Sequence, residues 1–176
     1  MKKTSIALIG FMGTGKTAAG KLLAEKTGKK FIETDSIIGE KAGKSIPDIF
    51  REDGEIGFRQ LEIEAVREIA NESNAVIACG GGVVLNKINI DRLKERCIIV
   101  RLTASPQVII ERTSGDKDER PLLNVPDRLQ QIKELMKFRE PYYERSADIT
   151  IDTSELNVDS VVEKILNEVK DDESYH

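Results

Sequence analysis

The stretch Gly10-Phe11-Met12-Gly13-Thr14-Gly15-Lys16-Thr17 limits the possible folds of this chain more than any other segment. It fits the pattern of glycine, four residues, glycine, lysine and serine or threonine, which requires a strand before it and a helix after it. The glycines let backbone NH groups face an anion without an intervening Cβ, and the following helix presents its positive end to the same anion. Lys16 can then reach the β and γ phosphates of a nucleoside triphosphate. The Thr17 hydroxyl can ligate Mg²⁺, a hard ion that takes oxygen donors and keeps several waters. The flanks agree. Ser5 to Ile9 is a β-prone apolar run, and Ala18, Ala19, Leu22, Leu23 and Lys26 recur at helical spacing up to Gly28, placed where a left-handed C-terminal cap is favoured.

The same alternation continues along the chain. Short apolar runs at Ser5 to Ile9, Lys30 to Glu33, Ala75 to Cys79, Cys97 to Leu102 and Ile149 to Ile151 are separated by helical patterns, the signature of an α/β domain with parallel strands joined by crossover helices. Several runs are apolar almost throughout, as expected for strands covered on both faces. Ser45-Ile46-Pro47-Asp48 reads as a capped helix start. Ile56, Leu61, Ile63, Val66 and Ile69 predict a second helix to about Ser73, its start left open by Gly54 and Gly57. The polar segment from Thr113 to Pro121 predicts a mobile surface loop, and residues 171–176 a frayed tail. With 176 residues, the expectation is one domain spanning about 1–170.

Composition narrows the functional classes. The chain has 31 acidic and 27 basic residues and a net charge of -4, which argues against a nucleic-acid-coating surface. The amino-terminal residues imitate a signal peptide, but Gly10, Gly13 and Lys16 interrupt the apolar stretch, and strand plus loop explains it better. No apolar run approaches the ~18 residues needed to span a bilayer. A soluble cytoplasmic protein is expected, with no membrane partner and monomer as the default. Cys79 and Cys97 each sit beside an apolar run and read as small buried hydrophobes.

The single histidine, His176, is the last residue, which disfavours a histidine base, a serine–histidine triad or a histidine-ligated metal. Carboxylates, arginines, lysines and Mg²⁺ remain, and phosphoryl transfer suits that inventory, because it depends on positioning and charge neutralisation. A GTPase would need an aspartate where Asn86-Lys87-Ile88-Asn89 ends in Asn89, so that use of the loop is disfavoured.

Together with the loop, several motifs resemble shikimate kinase: Glu33-Thr34-Asp35, Gly54-Glu55 with Phe58-Arg59 and Glu62, Gly80-Gly81-Gly82, Arg120-Pro121-Leu122-Leu123, and Arg139-Glu140-Pro141-Tyr142-Tyr143. They occur in family order from Lys3 to about Ile151. The resemblance implies a P-loop three-layer sandwich of the nucleoside-monophosphate-kinase kind, with five parallel strands in the order 2-3-1-4-5. It also implies a substrate-binding helical segment at about 34–62, a mobile lid at about 113–122, and phosphorylation of shikimate by ATP to shikimate 3-phosphate on the way to chorismate.

The implied nucleotide contacts are Gly13, Thr14, Gly15, Lys16, Thr17, Ala18, Arg112 and Arg120, with Thr17 on Mg²⁺. The implied shikimate contacts are Asp35, Arg59, Gly80, Gly81, Gly82 and Arg139, and the implied catalytic groups are Asp35, Lys16 and Arg120. Asp35 alone could equally be a helix N-cap, and either substrate arginine alone a solvated helix charge. Two departures stand out. Glu33 replaces the family's first aspartate, which puts direct metal ligation by it in doubt, and Asp152-Thr153-Ser154-Glu155-Leu156 lacks the usual adenine-side arginine. Rival readings are a kinase for another hydroxylated acid such as gluconate, and a nucleotide-gated binding module without turnover.

Overall fold

The computed structural model describes residues 2–115 and 120–175. Five strands form a single sheet: β1 (Ser5–Ile9), β2 (Lys30–Glu33), β3 (Ala75–Ala78), β4 (Cys97–Thr103) and β5 (Ile149–Asp152). Their order is β2-β3-β1-β4-β5 and every pairing is parallel. Central β1 pairs through Ile6 with Val76 on one side and with Ile98 on the other. The expected strand order and positions hold, with ends moved slightly. Cys79 lies beyond β3 although its NH still donates to the Leu8 carbonyl at 3.0 Å, while β4 and β5 extend to Thr103 and Asp152.

Among the described residues, seven helices connect or flank the strands: α1 (Lys16–Thr27), α2 (Thr34–Ala42), α3 (Ile46–Ile69), α4 (Lys87–Lys94), α5 (Pro106–Ser114), α6 (Arg128–Ser146) and α7 (Val158–Lys170). Successive strand residues point to opposite faces, so each apolar run feeds two cores. Ile6, Leu8, Val76, Ile98, Val100 and Leu102 pack with α1 and α7 through Leu23, Val162 and Ile165. Ala7, Ile9, Ile77 and Ile99 pack on the other face with Val66 and Ile69 of α3, Ile90 and Leu93 of α4, and Tyr143 of α6. This two-sided burial explains why the inner strands β1 and β3 lack an alternating polar pattern. Removing a fully buried member such as Leu23 to alanine would cost about 2–5 kcal/mol.

Smaller clusters fix the functional margins. Ile38 of α2 packs with Ile49, Phe58 and Ala65 of α3, making those two helices one unit. Leu123, in a short 3₁₀ turn at Pro121–Leu123, packs with Phe11, Ile109 and Ile132. That turn anchors one end of the expected lid; residues 116–119 of the segment lie outside the described residues. At its other end Thr113 is buried, its hydroxyl donating to the Ile109 carbonyl at 2.8 Å, so that end belongs to α5 rather than to a solvated loop.

The two helices expected from Ser45 and around Ile56 are both present in α3: Ser45 Oγ accepts from the Asp48 NH at 3.2 Å to start the first, and a non-helical Gly54, with φ 68° and ψ −178°, kinks the chain before the second runs to Ile69. One difference from the sequence expectation has a clear cause. The tail does not fray at residue 171. The Lys3 NH donates to the Ser174 carbonyl at 2.8 Å, and the Tyr175 ring lies under Lys29 Nζ at 5.3 Å and against the α1–α7 core. The ring finds an apolar and cationic surface that a polar tail would not. His176 lies outside the described residues. Among the described residues, no helix is long and apolar enough to cross a membrane.

The kink supplies a stability test. A Cβ at Gly54 or Gly28 would meet no atom within 4 Å, so alanine there reports backbone conformation alone. Gly54 occupies a region essentially reserved for glycine, and Gly54→Ala should lower unfolding free energy by about 1–3 kcal/mol. Gly28, at φ 65° and ψ 25°, is in the ordinary left-handed region, and Gly28→Ala should cost about 1 kcal/mol. Urea titrations of the two variants should rank them in that order.

Candidate active site

All five strands point the same way, so their carboxyl ends and the loops that follow share one edge of the sheet, where open α/β folds hold ligands. A cleft of about 800 Å³ opens there. It reaches from Thr17 on α1, past Asp35 and Glu33, to Arg59 and Glu62 on α3, Gly80–Gly82, Arg120 and Arg139. Phe50 and Phe58, with ring centroids 4.7 Å apart, and Pro47 supply an apolar wall.

At the nucleotide end, Gly13 and Gly15 have φ of 78° and 92°, turning the loop toward α1 as its motif requires. Lys16 Nζ donates to the carbonyls of Gly10 and Phe11 at 2.7 and 2.9 Å. Burial lowers its pKa to about 8, and the nearby Asp35 charge opposes that shift. Thr14 is buried and braces the loop, its hydroxyl donating to the Phe11 carbonyl at 2.8 Å, whereas Ala18 is exposed in the first turn of α1. Thr17 Oγ1 donates to Glu33 Oε1 at 2.5 Å, and Ser36 Oγ donates to Glu33 Oε2 at 3.2 Å. Glu33 therefore acts on the Thr17 hydroxyl itself.

Arg112, at the end of α5, donates to the Gly13 carbonyl at 3.3 Å, to Thr153 Oγ1 at 3.0 Å and to the Thr153 carbonyl at 2.8 Å. Thr153 Oγ1 also lies 3.1 Å from the Thr14 carbonyl. Exposed but held by these three bonds, Arg112 ties α5 to the phosphate loop and to the segment after β5.

The other end of the cleft is built by α2, α3, the glycine triplet and α6. Glu33, not Asp35, occupies the N-cap position of α2, so Asp35 is released from the capping role. Its Oδ1 is buried with no hydrogen-bond partner among the described residues. Burial raises the Asp35 pKa, and Lys16 is the chief opposing charge. Arg59 lies over Phe58 at 5.1 Å and donates to Glu62 Oε1 at 3.0 Å and Glu55 Oε1 at 3.2 Å. Glu62 is fully buried, and that burial pushes its pKa up to about 7 against the pull of Arg59. Arg139 is 2% exposed, 5.6 Å from the Phe11 ring, with Nε unpartnered among the described residues. Arg120 lines the same cleft, close enough to favour ionised Asp35.

The triplet's glycines have a reason that spacing does not reveal. A Cβ on Gly82 would stand 2.3 Å from Arg59 Nη2, and one on Gly80 would stand 2.9 Å from Asp35 Oδ1 and 3.1 Å from Glu62 Oε2. A Cβ on Gly81 would stand 3.4 Å from Arg139 Nη1. The bare backbone lets the charged side chains converge. The Gly80 NH donates to Thr34 Oγ1 at 2.8 Å, fixing the triplet to α2.

Asp35, Arg59, Arg120, Arg139, the glycine triplet and Thr17 thus meet in one cleft, with Lys16 at its phosphate end. Sequence reasoning quoted Glu62 and Tyr143 but gave them no role; their signal was spacing, three residues after Arg59 and four after Arg139 on helices. Elsewhere the rival motifs are structural. Asn89 is buried and donates to the Val83 carbonyl at 3.1 Å, and Cys79 and Cys97 are free and buried, with burial raising the Cys97 pKa to about 12.

Among known proteins, the family model described as shikimate kinase matches residues 12–170. The shikimate kinase of Caldanaerobacter subterraneus subsp. tengcongensis is 46% identical over 162 residues, covering 92% of this chain and 94% of that protein. The shikimate kinase of Pelotomaculum thermopropionicum is 44% identical over 167 residues, covering 95% and 96%. The solved shikimate kinase from Acinetobacter baumannii, in complex with shikimate, has a TM-score of 0.91 at 38% identity, covering 96% of this chain and 93% of that one. A gluconokinase from Sinorhizobium meliloti, with a TM-score of 0.59 at 19% identity, shares the fold alone. Sequence over nearly the whole length and the sheet order agree: this chain belongs to the shikimate kinase family.

Proposed function

We propose that the cleft transfers the γ-phosphate of ATP to the 3-hydroxyl of shikimate, giving shikimate 3-phosphate and ADP. The observation that carries this reading is the meeting of Arg59, Arg139 and Asp35 in one cleft with the phosphate loop. Two forked guanidiniums suit an acceptor carboxylate, and the half-buried Asp35 suits the acceptor hydroxyls. The shikimate complex of the Acinetobacter baumannii relative supports the choice of acceptor.

In this reading Asp35 accepts the hydrogen bond of the attacking hydroxyl, orienting it or taking its proton. The loop NH groups and Lys16 hold the phosphates, and Lys16 must leave the Gly10 and Phe11 carbonyls to do so. Arg120 delivers positive charge to the phosphoryl group in transfer, and Arg112 holds the nucleotide side of the loop in place. Gly80, Gly81 and Gly82 bring backbone close to shikimate, while Glu62 fixes the Arg59 fork. One chain supplies every group, in keeping with a monomer acting in the ATP-rich cytoplasm, as a single domain spanning 1–170.

The residues also fit Mg²⁺. The Thr17 hydroxyl beside the Glu33 carboxylate is an oxygen-only donor set. Among the described residues no three acids, cysteines or histidines gather to cage a metal, which leaves room for phosphate and water ligands. Bound there through Thr17, Mg²⁺ would neutralise charge on the phosphates. Glu33, by accepting the hydrogen bond of the Thr17 hydroxyl, turns a lone pair of that oxygen outward.

Incubation with ATP, Mg²⁺ and shikimate, quinate or gluconate, with ADP as the readout, tests the function. Turnover with shikimate alone is expected; turnover with gluconate instead would favour the other hydroxy-acid kinase, and none with any acid the binding module. Asp35→Asn should lower kcat by about 10²–10⁴-fold while ATP affinity is retained. Lysine at Arg59 or Arg139 keeps the charge but loses the fork, and should raise the shikimate KM by about tenfold or more.

A pH experiment tests Glu62. Its folded pKa of about 7 lies above the ordinary 4.5, so its contribution to stability is fully present below about pH 4.5 and is lost as pH rises through 7. The ligand-free protein should therefore lose stability between about pH 5 and 7.5, by up to about 3 kcal/mol from this group. Glu62→Gln should flatten that slope, whatever its effect at a single pH, in urea titrations across the range.

A further inference from the structure

Tyr143 is buried to 2% exposure in the core cluster that also holds Cys79 and Val83, the residues flanking the glycine triplet. Its hydroxyl donates to the Gly81 carbonyl at 2.5 Å, and the Arg139 guanidinium stands beside the same glycine, its Nη1 3.4 Å from where a Gly81 Cβ would lie. A hydroxyl has one proton to give and two lone pairs to offer, so with its proton on Gly81 it still turns a lone pair to the nearby Arg139 cation. Burial raises the phenol's pKa, keeping that proton in place, with Arg139 as the largest opposing influence.

The ring is fixed independently. Arg101 of β4 lies over it at 5.0 Å and makes a two-pronged pair with Glu140, at 2.9 and 2.6 Å. Arg101 is opposite Ile9, the last residue of β1 before the phosphate loop. Tyr143 therefore stands on a rigid support that runs from the sheet to α6, and its hydroxyl marks where Gly81 and Arg139 meet.

We propose that Tyr143 is a positioning residue for the acceptor, whose hydroxyl locks the Gly81 backbone and the Arg139 guanidinium into one frame before shikimate arrives. The proposal rests on the reading of Arg139 and Gly81 as acceptor contacts. Tyr143 does not line the cleft, so its loss should act through Gly81 and Arg139 and hence on one substrate only. Without the hydroxyl the Gly81 carbonyl loses its donor and Arg139 an anchor, and the pocket must be ordered at the expense of binding.

The test is Tyr143→Phe, which removes one oxygen and keeps the ring. The shikimate KM should rise about tenfold, with the ATP KM unchanged and kcat affected far less than the shikimate KM. The chain has no tryptophan, so calorimetry serves for shikimate affinity, which should fall in parallel. Combining Tyr143→Phe with Arg139→Lys should give less than the product of the two single effects, because both disturb the same frame. Placing 4-aminophenylalanine at 143 restores a donor at the ring tip and should recover much of the lost shikimate affinity; this variant decides the matter should Tyr143→Phe fold poorly.

An unchanged shikimate KM in Tyr143→Phe overturns the proposal, as do equal rises in both substrate KM values or a fully multiplicative double variant. Absence of recovery with the amino analogue also overturns it. These outcomes are separable from failure of the acceptor assignment, which would appear as an unchanged shikimate KM in Arg139→Lys itself.

Discussion

Parallel pairing of β1 on both of its edges is the constraint on which the rest of the molecule depends. Its five residues are fully buried, held in register by β3 and β4, and covered on both faces by helices. Such a strand cannot carry functional polarity along its length, so polar work is displaced to its ends. At the amino end Ser5 accepts from the Ala75 NH and donates to the Glu72 carbonyl, a structural use. At the carboxyl end the backbone enters the phosphate loop directly. Because the neighbours are parallel, the segments after β2, β3 and β5 emerge at the same edge, and the cleft follows from topology before any side chain is specified.

What topology assembles, charge organises. Lys16, Arg59, Arg120 and Arg139 surround a cleft containing the partly or wholly buried carboxyls of Asp35 and Glu62. Burial opposes ionisation of both acids, and each cation recovers part of that cost. Glu62 gives one oxygen to Arg59 and leaves the other unpartnered among the described residues, and Asp35 likewise has an unpartnered buried oxygen. These groups are directed before a ligand is present. A carboxylate or hydroxyl that enters finds its partners oriented, so little of its binding energy is spent on ordering them.

The sheet was legible in the sequence because strands covered on both faces are written as uninterrupted apolar runs, such as Ala75 to Cys79. Gly28 and Ser45 marked helix ends because caps depend on one residue and its near neighbours. The phosphate loop was legible for the same local reason, and Arg59 and Arg139 stood out through motifs in family order. Gly54 was ambiguous because glycine signals a break without saying whether a helix resumes beyond it. Roles for Glu62 and Tyr143 were missed because they act through Arg59, Arg139 and Gly81, contacts set by tertiary packing. The tie between Arg112 and Thr153 could not be anticipated, because nothing local to α5 reveals a partner forty-one residues away. Tyr175 was assigned to a loose tail because its surface, made by Lys29 and the α1–α7 core, exists only in the folded chain.

The three glycines after Cys79 carry a consequence for how tolerance to change should be interpreted. The space their missing Cβ atoms leave is claimed largely by the protein's own Asp35, Glu62, Arg59 and Arg139. Alanine at Gly82 would push a guanidinium out of place in the empty enzyme, with no acceptor involved. A map of permitted residues at these positions would then record the mutual fit of one protein's charged groups, and intolerance there would be inherited from the architecture even by a descendant that had abandoned the reaction.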